Sequence, residues 1–130
     1  MLSDKTCGAV VAVKDMDTAK KFYEDTLGLV KDERQMEDPG GGVMYKTGSS
    51  TLLVYPSQYA GTNQATAVGW GCGDDLDKII ADLKDKGVKF EHYDGMPGVK
   101  LEGDLHVMGD LKAAWFKDPD GNILNLVNQM

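Results

Sequence analysis

The chain has few of the residues that disulfide and metal sites need. Its 130 residues include two cysteines, Cys7 and Cys72, and two histidines, His92 and His106. Two cysteines supply no disulfide framework, and we expect both to be reduced thiols in a cytoplasmic protein. Two histidines also leave little material for a transition-metal site, because imidazole is the commonest ligand of such ions.

Long apolar runs and an excess of positive charge are also missing. No run approaches the roughly 18 apolar residues that indicate a membrane span, and residues 1–5 lack the pattern of a signal peptide, so we expect no membrane partner. The 14 Lys and Arg residues against 21 Asp and Glu residues give a net charge of −7. This charge argues against a nucleic-acid partner. It is compatible with simple solubility or with a preference for cationic or neutral ligands.

What the chain does contain is an internal repeat. Asp15-Met16-Asp17 and Asp75-Leu76-Asp77 lie sixty residues apart, and each stands between an apolar stretch and a helical stretch that ends in glycine. A repeat of this length indicates two similar supersecondary units. We predict one domain over residues 1–130, with module one at about 6–56 and module two at about 65–130.

Hydrophobic periodicity predicts a βαβββ order in each module. In the first, we expect a strand over 7–14, a helix that Asp15 caps and Gly28 ends, a strand over 29–36, a turn over 38–42 and a hairpin over 43–55. In the second, we expect strands over 65–72, 88–93, 111–117 and 123–127, and a helix with an apolar stripe from Leu76 to Leu83. Residues 101–108 form either a strand or an ordered loop edge.

Two motifs carry a resemblance to a known family. Val13-Lys14-Asp15-Met16-Asp17 with Phe22-Tyr23 and Leu27-Gly28-Leu29 resembles the opening motif of the vicinal oxygen chelate superfamily, and the stretch from Trp115 to Leu124 resembles its closing motif. That group includes glyoxalase I, extradiol dioxygenases, and fosfomycin and bleomycin resistance proteins. The resemblance implies an α+β fold in which two βαβββ modules form a cupped mixed β-sheet, and it implies a homodimer.

The resemblance also implies a divalent metal ion, held by His or Glu on the first strand of each module and by Glu on the last strand. At those positions this chain has Gly8, Val68 and Asn125. Glycine and valine have no ligating side chain, and asparagine is a weak neutral ligand. We therefore predict no cofactor. A non-standard divalent site would need Glu102 and His106 on one face of a strand, and Cys72 could join them from the cup. Alternatively, His106 is a surface or loop-edge histidine.

Strand alternation predicts that the cup is lined by apolar and aromatic side chains. The resemblance adds the aromatic residue that precedes the closing turn, and the long loop of the second module contributes further residues. The predicted ligand-binding residues are Gly8, Val68, Trp70, Cys72, Tyr93, Met96, Trp115 and Asn125. Such a lining suits a flat or hydrophobic molecule, unless the two tryptophans simply fill the cup.

Three functional hypotheses follow. The first is a metal-independent protein that binds a hydrophobic or aromatic small molecule, similar to the bleomycin resistance proteins. The second is a glyoxalase-like lyase or isomerase, or a dioxygenase-related enzyme, with a non-standard metal site and with His106 or Glu102 as the base. The third is a structural module whose cup is filled.

Overall fold

The chain forms two compact units, each with its own β-sheet. A computed structural model describes residues 1–34 and 41–129. The first unit comprises Met1–Gln64 with Pro119–Asn122, and the second comprises Ala65–Asp118 with Ile123–Met130. The predicted α+β class is confirmed, because both units combine helical segments with a mixed sheet. Residues 35–40, where we expected the end of a strand and the beginning of a turn, lie outside the described residues.

The first unit contains a four-stranded sheet. The elements are β1 (Ala9–Val13), α1 (Met16–Lys20) with a π-helical continuation (Lys21–Thr26), β2 (Val30–Lys31), β3 (Val43–Thr47) and β4 (Ser50–Pro56). The strand order is β1-β4-β3-β2, with β1 parallel to β4 and the other pairs antiparallel.

The helix begins and ends as the sequence predicts. Asp15 caps it, since its carboxylate accepts hydrogen bonds from the Asp17 N–H at 3.0 Å and from the Thr18 hydroxyl at 2.9 Å. Gly28, with a φ of +73°, follows its end. The last turns are wider than an α-helix, and the Leu27 N–H donates to the carbonyl of Phe22, five residues back.

The turn from the closing motif packs with the first unit. Residues 119–122 interrupt the second unit in sequence, and the Asn122 side-chain amide donates to the carbonyl of Ala12 at 2.8 Å. The backbone N–H of Lys14 donates to the Asp120 carboxylate at 3.1 Å. These bonds attach the turn to the end of β1, which explains why these four residues belong to the first unit.

The second unit contains a larger sheet and the longer helix. The elements are β5 (Thr66–Gly71), α2 (Leu76–Asp85), β6 (Phe90–Glu91), β7 (Lys100–Glu102), β8 (Leu105–Met108), β9 (Leu111–Lys117) and β10 (Ile123–Val127). The strand order is β5-β10-β9-β8-β7, and β6 pairs with another part of β9. The segment over 101–108 is therefore a hairpin rather than one strand. No helix in the described part of the chain has the length and apolarity that a membrane crossing requires.

The buried carboxylate of Asp32 directly follows the short strand β2. Its backbone N–H donates to the carbonyl of Met44 at 2.8 Å, and its side chain, 1% exposed, accepts two hydrogen bonds from the Arg34 guanidinium at 2.9 and 2.7 Å. These bonds lower the pKa of Asp32 from 3.8 to about 2. A carboxyl whose pKa is lower in the folded state stabilises that state above its unfolded pKa.

We expect the stabilising effect of Asp32 to be lost as the pH falls from about 4 toward about 2. Urea denaturation of the wild type and of Asp32→Asn measures it. The variant should unfold at lower urea at pH 6, and the two midpoints should converge near pH 2. Asp4→Asn, which removes a carboxylate that is 73% exposed, serves as the control and should follow the wild type. A constant difference between Asp32→Asn and the wild type at all pH values would contradict the prediction.

Candidate functional site

The two faces of the second sheet differ in composition. The register of β9 and β10 places Trp115 opposite Asn125 and Phe116 opposite Leu124, so these pairs lie on opposite faces. Phe116 and Leu124 are fully buried and form the core face. The other face, here called the Trp115 face, carries Thr66, Gly69, Glu91, His106, Trp115 and Asn125.

An irregularity in β5 decides which of its side chains reach the Trp115 face. Thr66 pairs with Ile123, but the next residue of β10, Leu124, pairs with Val68, so β5 contains one additional residue, Ala67. Beyond it, Val68 and Trp70 share the core face with Leu124 and Leu126. The prediction that Val68 and Trp70 line one surface with Asn125 is therefore wrong, because the bulge reverses the alternation.

Trp115 is the central side chain of this face and is only half-buried. Its indole N–H donates to the Thr66 hydroxyl at 3.0 Å, which fixes the ring plane. Sequence reasoning missed Thr66, because threonine is an ordinary strand residue and its pairing depends on the bulge. The hydrogen bond leaves the rest of the indole ring to contact other groups.

His106 is a buried structural residue, so the prediction of a loop-edge histidine is wrong. It is 0% exposed, its Nε2 accepts from the Tyr93 N–H at 2.9 Å, and its Nδ1 lies 3.4 Å from the carbonyl oxygen of Ala113. With Nε2 accepting from a backbone N–H, Nδ1 is the nitrogen that faces an acceptor. Both nitrogens already have partners, so the imidazole is not free to act as a base or to ligate a metal ion.

Glu102 does not lie beside His106. In the hairpin, His106 pairs with Leu101 and Glu102 pairs with Leu105, so the two side chains point to opposite faces. Glu102 is exposed, with its carboxylate 3.6 Å from the Lys100 ammonium. The prediction that the two residues share a strand face is wrong because Gly103 and Asp104 form a turn between them.

Tyr93 completes an aromatic cluster with His106 and Trp115. Its ring centroid lies 5.8 Å from that of His106 and 5.7 Å from that of Trp115, and the latter two rings meet edge to face at 4.8 Å. Its hydroxyl is the one buried side-chain polar atom in the described residues that has no hydrogen-bond partner. Burial, followed by the charge of Glu91, raises the pKa of Tyr93.

The remaining predicted ligand residues lie in different places. Asn125 is 8% exposed, and its amide donates to the carbonyl of Ala114 at 3.2 Å. Cys72 follows β5 and is half-buried, and burial raises the pKa of its thiol, which lowers the fraction of the nucleophilic thiolate. Met96 is half-buried in the loop after β6. Gly8 belongs to the first unit, where a Cβ would come within 2.7 Å of the Thr51 hydroxyl oxygen.

The donor set does not fit the divalent metal that the resemblance implies. Gly8 and Val68 offer no side-chain donor, and the amide of Asn125 bonds to the backbone. Within residues 1–34 and 41–129, no group of three or more His, Cys, Asp or Glu side chains could hold a metal ion.

Several solved structures share this fold. A glyoxalase family protein from Enterococcus faecalis is 20% identical, with a TM-score of 0.69, and the match covers 98% of this chain and 99% of that chain. A lactoylglutathione lyase from Agrobacterium tumefaciens is 20% identical, with a TM-score of 0.67, and the match covers 95% of this chain and 92% of that chain. A mutant of the fosfomycin resistance protein FosX from Listeria monocytogenes, complexed with Mn(II) and 1S,2S-dihydroxypropylphosphonic acid, is 11% identical, with a TM-score of 0.67. That match covers 98% of this chain and 91% of that chain. No curated protein matches the chain.

These identities are low, so the structural matches establish the fold alone. The family assignment has separate support from the sequence, because residues 8–126 match the model of one family across nearly the whole chain. The chain therefore belongs to the Glyoxalase/Bleomycin resistance protein/Dioxygenase superfamily.

Proposed function

We propose that this protein binds a planar aromatic small molecule on the Trp115 face and that it does so without a metal ion. The observation that carries the proposal is the state of Trp115, whose indole is held by the Thr66 hydroxyl and packs edge to face with the His106 ring, while the residue is only half-buried. An aromatic ring that is already fixed loses little conformational freedom when a ligand stacks on it.

The residues around Trp115 include a glycine and polar groups that are already hydrogen-bonded. Gly69 lies on the same face, next to Asn125 in the neighbouring strand, and it has no side chain. The neighbouring polar groups are engaged within the unit: His106 bonds to backbone groups, and the Asn125 amide bonds to the carbonyl of Ala114. A surface of this kind favours stacking and dispersion over ionic recognition.

Metal independence is supported by the chemistry of the residues. Gly8, Val68 and Asn125 stand where the resemblance implies metal ligands, and both nitrogens of His106 already have partners. A protein of this kind would sequester its ligand, similar to the bleomycin resistance proteins. The predicted homodimer and cytoplasmic location stay predictions.

Quinoline, a neutral planar probe, should bind at Trp115 and not at Trp70. In a ¹⁵N-labelled sample the two tryptophans give two indole N–H signals, and we expect quinoline to shift only that of Trp115. Trp115→Phe should weaken binding roughly tenfold, because a smaller ring without the Thr66 bond provides a poorer stacking surface. Trp70→Phe is the matched control, since Trp70 lies on the opposite face, and it should bind as the wild type does. Equal effects of the two variants would exclude the Trp115 face.

Thr66→Val should weaken quinoline binding by severalfold. Valine has the shape of threonine but cannot accept the indole hydrogen bond, so Trp115 loses the contact that fixes its plane. The same titration measures the effect, and the chemical shift of the free Trp115 indole N–H reports the lost bond. If that shift changes while the affinity stays the same, the fixed indole is not what the ligand needs.

Protein purified without chelator or affinity tag should contain less than about a tenth of an equivalent of divalent metal, before and after soaking with Zn²⁺, Ni²⁺, Mn²⁺ or Fe²⁺. Elemental mass spectrometry measures this content. About one equivalent of any of these ions would contradict metal independence. Such a metal content would favour a lyase or dioxygenase reaction instead.

A further inference from the structure

We infer that the ligand of the Trp115 face is a neutral aromatic molecule with a hydrogen-bond acceptor, and that the Tyr93 hydroxyl selects it by donating to that acceptor. The inference rests on the proposed function and deepens it. It names a class of ligand and the residue that distinguishes this class from other flat molecules.

The hydroxyl of Tyr93 differs from the other polar groups of the cluster. The Trp115 indole, the His106 imidazole and the Asn125 amide all have hydrogen-bond partners within the second unit. The Tyr93 hydroxyl is buried without one among the described residues. A buried polar group without a partner destabilises the folded state, so such a group in a native protein requires an explanation. A bond that forms only with ligand provides one.

The hydroxyl can act as the donor of that bond. Burial and the negative charge of Glu91 raise the pKa of Tyr93, so the group keeps its proton at neutral pH. A protonated phenol next to a stacking surface favours ligands whose ring or substituent presents a lone pair, such as a carbonyl oxygen or a ring nitrogen. A hydrocarbon of the same shape would leave the hydroxyl without a partner.

The charges beside the cluster favour a neutral ligand. Glu91 lies opposite Trp115 on the neighbouring strand, and its carboxylate is 3.4 Å from the ammonium of Lys117, which lies on the same face. The two charges compensate each other. A charged ligand would lose its hydration without finding an unpaired opposite charge there, which costs more than the burial of a neutral one.

The position of Tyr93 allows its ring to adjust to a ligand. The residue lies beyond β6, in the irregular segment over 92–99, and its backbone N–H donates to His106. Rotation of the ring therefore breaks no strand pairing. A ligand that displaces the atoms covering the hydroxyl replaces an unpaired group with a hydrogen-bonded one.

Four probes of one shape test the inference. Quinoline carries an acceptor, naphthalene lacks it, N-methylquinolinium is cationic and 2-naphthoate is anionic. With the wild type, we expect quinoline to bind roughly tenfold more tightly than each of the other three, the gain that one hydrogen bond to the ligand provides. In Tyr93→Phe the affinity for quinoline should fall to that for naphthalene, which should not change. Tyr59→Phe, at a 70% exposed tyrosine, is the control and should keep the preference.

Thermal unfolding gives a second readout. Removal of an unpaired buried hydroxyl should leave the melting temperature of ligand-free Tyr93→Phe equal to that of the wild type or a few degrees higher. A lower melting temperature would mean that the hydroxyl already has a structural partner and would overturn the inference. Equal affinities of the wild type for quinoline and naphthalene, with a shifted Trp115 indole signal for both, would also overturn it but would leave the proposed function intact. Tighter binding of a charged probe would contradict the neutral class, and no binding of any probe would overturn both proposals.

Discussion

One additional residue in β5 determines what each face of the second sheet presents. Ala67 has no counterpart in β10, because Thr66 pairs with Ile123 and Val68 pairs with Leu124. A bulge of this kind reverses the direction of every later side chain relative to a regular ladder. Val68 therefore joins the buried core, while Thr66 stays on the other face and anchors Trp115. Without the additional residue Ala67, Val68 would point to the face of Asn125, and the core would lose an apolar contact.

His106 replaces missing strand hydrogen bonds on the other side of β9. Strand β6 pairs with Trp115 and Phe116, whereas β8 pairs with residues from Ala113 to Leu111. Where the two strands change over, the imidazole accepts the Tyr93 N–H and faces the carbonyl of Ala113. It supplies the hydrogen bonds that a continuous strand would have made, and buried backbone groups require such partners. The histidine therefore stabilises the sheet edge through hydrogen bonds to backbone groups.

The sequence was a good guide to the fold where local signals suffice. The Asp15 cap, the end of the first helix at Gly28 and the apolar stripe of α2 each depend on residues within a few positions, and all three are found. The hairpin over 100–108 was missed because Gly103 and Asp104 interrupt one short apolar pattern, and such a pattern fits both a strand and a loop.

The candidate site was less predictable, because its geometry depends on partners that are distant in sequence. Trp115 and Asn125 were identified, and the structure places them opposite each other. The Thr66 bond to Trp115 spans 49 positions, and the His106 bond to Tyr93 spans 13. No periodicity specifies a bulge, since its position follows from the pairing with β10. Alternation from a regular strand therefore placed Trp70 on the wrong face.

The absence of metal-ligating side chains at Gly8, Val68 and Asn125 changes what this scaffold can use for recognition. A bound metal ion attracts a ligand strongly and from a defined direction. A face that lacks metal-ligating side chains must depend on weaker contacts, which contribute most when the contacting side chains are held in position before the ligand binds. The structure meets this requirement at Trp115, which is fixed by Thr66 and packed against His106. Among the residues that the structure describes, it leaves one buried side-chain polar atom, the Tyr93 hydroxyl, without a hydrogen-bond partner. A protein that carries such a destabilising group loses some stability, and sites that act on ligands are where folds commonly accept that loss. In the function proposed above, recognition on this face depends on a rigid stacking surface for affinity and on the hydrogen bond of the Tyr93 hydroxyl for specificity, a division that the shared fold does not dictate.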